Sequence, residues 1–556
     1  MSEILRLKKS NCKNCYKCIR HCPVKSIKFS GNQAHIIGDD CILCGQCFVV
    51  CPQNAKEIAD STEEVNCLLN SGKRIIASVA PSFVAYFEGV GFEALSKSLI
   101  ELGFAAAEET AIGATLVKRE YEKQIRAATS NIIISSCCPS VNLLIQKYYP
   151  NLLGCLSPVV TPMAAHALNI KKRYPDANVV FIGPCLSKKD EAMSGPADAV
   201  LTFAELGEMF GRKGIVPELR MDSAEKTRAR LFPTVGGILK TMDLPDNGYT
   251  YMTVDGIENC MNALDDISRG DISKCFIEMS SCQGSCIGGP VMGKYKNSPI
   301  RHLRSAVTYA GRSDFEVENT ETSVLRKNYH FTGRTQTEPT EKEITDILRK
   351  MGKTGPEQEL NCGTCGYNTC REKARAVCQG KADISMCLPF LMDKSESFTN
   401  TILNNTPNGI LVVNEDLEVQ QANNSVLRML GIKYVSDILG EPVVRLFDPL
   451  PFLNALDGKT VKDKLDYYPE YKKYIELTLA HDKASRIIIA ILRDVTDVEG
   501  ERQKKEALSK QTIEIADKVV DKQMRIVQEI ASLLGETAAE TKIALTKLKE
   551  SMGDEE

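Results

Sequence analysis

At 556 residues the chain is long enough for roughly four domains of about 150 residues each. A formal net charge of −3 gives no electrostatic case for a nucleic acid or an anionic membrane as a partner. The sequence has 22 cysteines, no apolar run of ~18 residues and no apolar signal core after Met1, so it reads as a cytoplasmic chain using reduced, metal-bound sulfur, not a secreted disulfide framework.

The first 60 residues contain Cys12-x2-Cys15-x2-Cys18-x3-Cys22-Pro23 and, after 18 intervening residues, Cys41-x2-Cys44-x2-Cys47-x3-Cys51-Pro52. A zinc ribbon accounts for a single CxxC pair but not for two complete runs, each closed by proline. The repeat has the spacing of a tandem bacterial ferredoxin, in which the fourth cysteine of each run ligates the other cluster. A domain over 1–62 is therefore expected, with Cys12, Cys15, Cys18 and Cys51 on one 4Fe-4S centre and Cys41, Cys44, Cys47 and Cys22 on the second.

From about Arg74, short β-branched runs alternate with longer helical stretches, as in a doubly wound α/β sheet. Four expected strands each lead into a loop. Residues 74–79 precede Ala80-Pro81-Ser82, 132–134 precede Cys137-Cys138-Pro139, 179–182 precede Cys185, and 274–279 lead into Cys282 and Cys286. Such sheets place ligands beyond the carboxyl ends of their strands, so distant loops can converge. Cys138, Cys185, Cys282 and Cys286 read as one site of soft thiolate ligands for iron. The isolated Cys67, Cys155, Cys260 and Cys275 are expected to be buried small hydrophobes.

Those loops resemble the three signature loops of FeFe hydrogenases. The resemblance implies a domain over 68–325 in which Cys138, Cys185, Cys282 and Cys286 hold a 4Fe-4S cubane. Cys286 would bridge to a two-iron azadithiolate subcluster carrying carbon monoxide and cyanide, the whole being an H-cluster. It also implies that Lys188 donates to a cyanide, a charge-assisted bond, with Glu191 beside it, and that Pro81 and Ser82 pack against the two-iron unit. Cys137 would exchange protons with the bridgehead amine, and Ser157 would be a relay hydroxyl further out. The alternative for Lys188, Lys189, Asp190 and Glu191 is a solvated helix start. The chain departs from the family pattern in several places. The positions of two relay glutamates fall on Tyr121 and Gln124, neither a proton carrier near neutral pH, while Glu120 and Glu122 read equally as substitutes or as surface charges. Gly183 and Ser280 stand where catalytic members carry methionine, and Gly288-Gly289-Pro290 is shortened. Slow turnover with intact cluster binding is the expectation.

Beyond residue 340, Cys362-x2-Cys365-x4-Cys370 is closed by Cys387 after 16 intervening residues. The set resembles a small single-cluster domain of anaerobic redox proteins and is expected over 340–394, with Cys362, Cys365, Cys370 and Cys387 on a third 4Fe-4S centre and zinc as the alternative metal. Residues 371–382 read as helix, with Cys378 a spare thiol on it.

Residues 395–498 carry no cysteine. Gly409 to Asn424 reads as strand, turn, strand and helix cap, and 474–479 with 486–492 as a closing hairpin. The order resembles an α+β PAS domain. The missing cysteine excludes a photoactive flavin adduct, and the one histidine, His481, is expected in a turn, so no PAS ligand is expected. Residues 499–556 continue as helix, with Ile513, Val520, Val527 and Leu534 repeating every seven residues. That stripe suits either a parallel helical homodimer or packing on the PAS face. These 58 residues are too few for a kinase or phosphatase, so a signalling partner of that kind is expected in trans.

The full order resembles that of sensory FeFe hydrogenases. It implies a multidomain α/β protein with an H-cluster and three further 4Fe-4S clusters, acting on H2 and protons. Ferredoxin or another redox protein would be its electron partner. Two alternatives stand: an ordinary ferredoxin-linked FeFe hydrogenase, and a hydrogenase-like iron-sulfur assembly scaffold without the two-iron unit.

Overall fold

The computed structural model describes residues 4–8, 11–222, 227–318, 320–333 and 338–551, and the chain divides into two compact units, residues 1–391 and 392–556. Residues 1–3 of the expected first domain and 552–556 of the expected tail lie outside the described residues.

The first unit begins with Leu5–Leu7 paired antiparallel to Lys56–Ile58 and a hairpin of Ile27–Ser30 with Gln33–Ile36. Short helices Lys17–Arg20 and Gln46–Val49 each begin inside a cysteine run. Gly45 is in the left-handed region at φ +77, and a Cβ there would lie 2.5 Å from the Pro290 side chain and 2.6 Å from that of Leu186. Only glycine lets this loop approach the loops after Cys185 and Cys286 so closely.

The strands expected after Arg74 form two parallel sheets, not one. In the first the order is Ala106–Glu109, Ile75–Val79, Asn178–Gly183 and Ala199–Thr202. In the second it is Thr250–Asp255, Cys275–Ser280 and Ile132–Ile134. All five residues of Ile75–Val79 are buried, as a parallel strand covered on both faces requires. Helix starts are fixed locally: the Thr161 hydroxyl accepts from the Ala164 N–H, and Thr202 forms a reciprocal capping box with Glu205. Helix Ala111–Ala127 packs on Pro162–Arg173, where a Cβ on Gly113 would meet the Pro162 carbonyl at 2.2 Å.

Four sequence expectations in this unit are corrected. Glu120 and Glu122 are not surface charges: both are buried, Glu120 accepting from Lys123 at 2.6 Å and Glu122 from the Asp243 N–H at 2.8 Å. Cys67 is exposed on its helix and Cys155 half-buried, while Cys260 and Cys275 are buried as expected. Lys188 and Lys189 are buried and paired with Glu191 and Glu205, so they are not a solvated helix start. The helix expected over 371–382 spans Cys370–Cys378, stopping before Gly380 at φ +69.

The second unit holds a five-stranded antiparallel sheet in the order Val419–Ala422, Gly409–Asn414, Ile487–Asp494, Lys473–Asp482 and Val461–Tyr468. Leu411, Val413, Phe452, Ile475, Leu477 and Ile488 fill its core. Asn423 caps helix Asn424–Leu430, accepting from Val426 and donating to the Leu403 and Asn408 carbonyls. His481 lies within Lys473–Asp482, opposite Ile488, and not in a turn. Helix Thr496–Ser551 follows. Gln503 donates to the Tyr474 hydroxyl at 2.8 Å, but residues 501–551 are exposed throughout, so the heptad stripe does not pack on the PAS sheet of its own chain.

Candidate metal centre

The strand ends of both sheets meet around one cavity of about 100 Å³. Ala80, Pro81 and Ser82 line it from the loop after Ile75–Val79. Cys137 and Cys138 come from the loop after Ile132–Ile134. Cys185 and Lys188 come from the loop and helix after Asn178–Gly183, and Glu278, Ser280 and Cys286 from Cys275–Ser280 and its loop. Cys282 lines a second cleft, of about 860 Å³, together with Cys44, Lys240 and Lys296. The Cys44 loop and the Cys282 loop are thus opposite banks of one cleft.

Burial pushes the Cys286 thiol up to about 12 and raises Cys185 and Cys282 as well, and in each case neighbouring cysteines add to the effect. The Lys188 ammonium acts against this at Cys185 and Cys286, but it is shared with Glu191 at 2.7 Å. Ionising these three sulfurs requires further positive charge, and iron bound by soft thiolates supplies it. The Ser82 hydroxyl, at the cavity wall, is buried without a protein partner. The donor set of Cys138, Cys185, Cys282 and Cys286 fits an iron-sulfur group.

Desolvation pushes the half-buried Cys137 thiol up to about 12 and keeps it protonated near neutrality. The Tyr121 hydroxyl lies 3.3 Å from its sulfur and 3.0 Å from the Ser136 hydroxyl, and accepts from the Ser136 N–H at 2.9 Å. The Tyr121 ring is fully buried and edge-on to Phe276. Ser157 turns elsewhere, donating to Gln124 at 2.8 Å. Burial works against the Lys188 ammonium, but Glu191, with Cys185 and Cys137, outweighs it and holds the amine above its ordinary pKa. Glu191 also accepts from the Thr161 hydroxyl at 2.5 Å. Lys188 and Glu191 are therefore a fixed pair at the cavity wall.

The other cysteine sets gather separately. Cys12, Cys15, Cys18 and Cys51 line one small cavity with Lys56. Cys44 and Cys47 are raised by burial and further by Cys22 and Cys41 beside them. Cys362, Cys365, Cys370 and Cys387 line a third small cavity with Lys373. Among the described residues, no three His, Cys, Asp or Glu side chains close on a point that a single ion could occupy.

Sequence reading missed Glu278. Its signal is a carboxylate inside an otherwise buried, apolar strand. It accepts from the Leu239 N–H at 3.1 Å, yet burial raises its pKa to about 7. Because the folded pKa is the higher one, the stability contributed by the protonated form is full below ~4.3 and is lost as pH rises through about 7. Glu278→Gln keeps an acceptor for Leu239 and removes that loss. Its stability should match the parent near pH 4 and exceed it by on the order of 3 kcal/mol at pH 8, as read by urea denaturation at the two pH values.

Residues 73–290 match the family described as iron only hydrogenase large subunit, C-terminal domain. Residues 4–52 match a 4Fe-4S dicluster domain, 358–389 an Fe-S cluster family and 397–465 a PAS domain. The NADP-reducing hydrogenase subunit HndD of Solidesulfovibrio fructosivorans is 26% identical over 45% of this chain and 55% of its own. Iron hydrogenase 1 of Clostridium pasteurianum is 24% identical over 40% of this chain and 51% of its own. A cytosolic Fe-S cluster assembly factor of Encephalitozoon cuniculi is 23% identical over 45% of this chain and 78% of its own. The chain spans about half the length of the two hydrogenases it matches. No helix among the described residues is long and apolar enough to cross a membrane. The loops that meet at the cavity, from Pro81 to Cys286, all lie in the segment that carries the hydrogenase match, and the chain accordingly bears the C-terminal domain of an iron-only hydrogenase large subunit, together with 4Fe-4S dicluster, Fe-S and PAS domains.

Proposed function

We propose that the chain is a cytoplasmic FeFe hydrogenase of low turnover that senses hydrogen or redox state and passes the signal through its PAS domain and helix to a partner in trans. The reading rests on one observation: Cys137, Cys138, Cys185, Cys286 and Lys188 line a single cavity. The domains are taken as 1–62, 68–325, 340–394, 395–498 and 499–556. An H-cluster held by Cys138, Cys185, Cys282 and Cys286 supplies reversible heterolytic conversion of dihydrogen into two protons and two electrons. Pro81, Ser82 and Lys188 shape and polarise the wall, with Glu191 fixing the Lys188 ammonium. Cys137 holds a proton at Sγ, and its neighbour on the far side is the Tyr121 phenol rather than a carboxylate. Ser157 bonds to the uncharged amide of Gln124. Proton delivery by this route is slow because neither group ionises near neutral pH. Three further 4Fe-4S centres, on the cysteine sets given above, connect the site to ferredoxin or another redox protein.

A second reading, an iron-sulfur assembly scaffold lacking the two-iron unit, is favoured by the similarity to the Encephalitozoon assembly factor. Infrared spectra of anaerobically matured protein separate the two. Metal carbonyl and cyanide bands together with slow hydrogen turnover are expected. Bands with rapid turnover would indicate an ordinary ferredoxin-linked hydrogenase. A full iron complement of the cubanes without such bands would indicate the scaffold.

A further inference from the structure

Within the first unit, the Cys362–Cys387 domain is seated on the ferredoxin module, ligand loop against ligand loop. Arg20, between Cys18 and Cys22, donates to the Gly363 carbonyl at 3.1 Å, and Lys25 donates to the Gly366 carbonyl at 3.3 Å. Gly366, at φ +91, comes so close that a Cβ would lie 3.1 Å from the Ile19 side chain and 3.2 Å from the Tyr16 carbonyl. Behind this turn the Phe29 N–H donates to the Lys381 carbonyl at 3.0 Å, and Lys381 pairs with Asp40 at 2.9 Å.

Tyr367 sits at the centre of the contact. It is 2% exposed and packs in one apolar cluster with Ile19, Cys22 and Cys365. The Lys25 ammonium lies 5.8 Å from its ring centroid and the Lys373 ammonium 5.6 Å. Cys365 belongs to the third cysteine set and Cys22 to the second ferredoxin set.

We propose that this contact, with Tyr367 as its packed core, is an electron junction by which the ferredoxin module exchanges electrons with the Cys362–Cys387 domain. One electron leaves the reduced ferredoxin module and one enters the oxidised Cys362–Cys387 centre. No bond is made or broken and no proton moves, because Tyr367 is medium and not carrier. Electron tunnelling falls steeply with distance, so two ligand loops in van der Waals contact form a far better path than solvent-separated domains. The inference rests on the reading that both cysteine sets hold iron-sulfur clusters, and it deepens that reading by naming the neighbour of the third one.

The test uses the full chain, produced anaerobically without maturation of a two-iron unit and fully reduced with dithionite, read by EPR line shape and spin relaxation with iron content alongside. In the parent, the ferredoxin-module signals should be broadened and fast-relaxing through coupling to the Cys362–Cys387 centre. Cys362→Ser should lose one cluster's iron, and the remaining signals should sharpen and relax more slowly. Arg20→Ala combined with Lys25→Ala should keep all the iron and lose part of the coupling. If Cys362→Ser loses iron while the remaining signals keep their shape and relaxation, the junction is overturned and the cluster assignment stands. If Cys362→Ser retains all its iron, the cluster assignment fails and the junction falls with it.

Discussion

Replacing Cys137 with alanine should lower hydrogen turnover by about a hundredfold to ten-thousandfold, the range for loss of a positioned proton-transfer group, while leaving the infrared bands of the cluster in place. The thiol lines the cavity but belongs to none of the four proposed ligands, so its removal takes away a proton carrier without opening the metal site. Serine at the same position restores a hydroxyl in reach of Tyr121 but not a proton donor of thiol strength, and should recover little of the rate. Equal turnover in the alanine variant and the parent would remove Cys137 from the proton route. Tyr121 sharpens the expectation. Its hydroxyl joins Cys137 to the Ser136 backbone inside a fully buried, aromatic-packed site. Glutamate at 121 would therefore put an unpaired carboxyl in the core instead of simply restoring a relay, whereas Gln124→Glu is nearly isosteric and retains the bond from Ser157.

Glutamate at both Val520 and Val527 should convert the protein from dimer to monomer. In helix Thr496–Ser551, Ile513, Val520, Val527 and Leu534 are 57%, 58%, 57% and 64% exposed, a continuous apolar stripe that the described residues of its own unit leave uncovered. A parallel pairing of two such helices buries the stripe at successive core positions. An unpaired charge in that seam costs about 3–5 kcal/mol, which raises the dimer dissociation constant by about two to three and a half decades per site. Sedimentation of parent and variant reads the change directly. Unchanged mass would assign the stripe to another partner. If the helix carries the output, amide-exchange protection over 501–551 should also differ between hydrogen-reduced and oxidised protein; identical protection in both states would leave a slow hydrogenase with no signalling role for its tail.

Much of this architecture was legible because its signals are short-range. The ferredoxin runs and the Cys362 set are ligand spacings within a few residues, and sulfur chemistry constrains them wherever the chain folds. The PAS strands from Gly409 to Asn414 and from Ile487 to Asp494 show themselves as short continuous apolar runs, and the long tail by its seven-residue period. Boundaries depending on a single backbone angle were less visible, as where the helix begun at Cys370 gives way before Gly380. His481 was misplaced for a related reason: one polar residue near a strand end resembles a turn until the partner strand fixes its register.

The sequence by itself determined which cysteines fall into closely spaced sets and the order of the matched domains, because cysteine spacing and hydrophobic period act over a few residues. Only the tertiary structure decided that the strands after Arg74 divide between two sheets, since pairing of Cys275 with Ile132 joins segments with no shared local signal. It also decided that Tyr121 clamps Cys137, that Lys188 and Glu191 are a buried pair, and that Tyr367 is packed against the ferredoxin module. Each of these depends on which side chains meet across the fold. Burial and partner then set the charge of a lysine, a glutamate or a phenol, and neither is written in the residue's own neighbourhood along the chain.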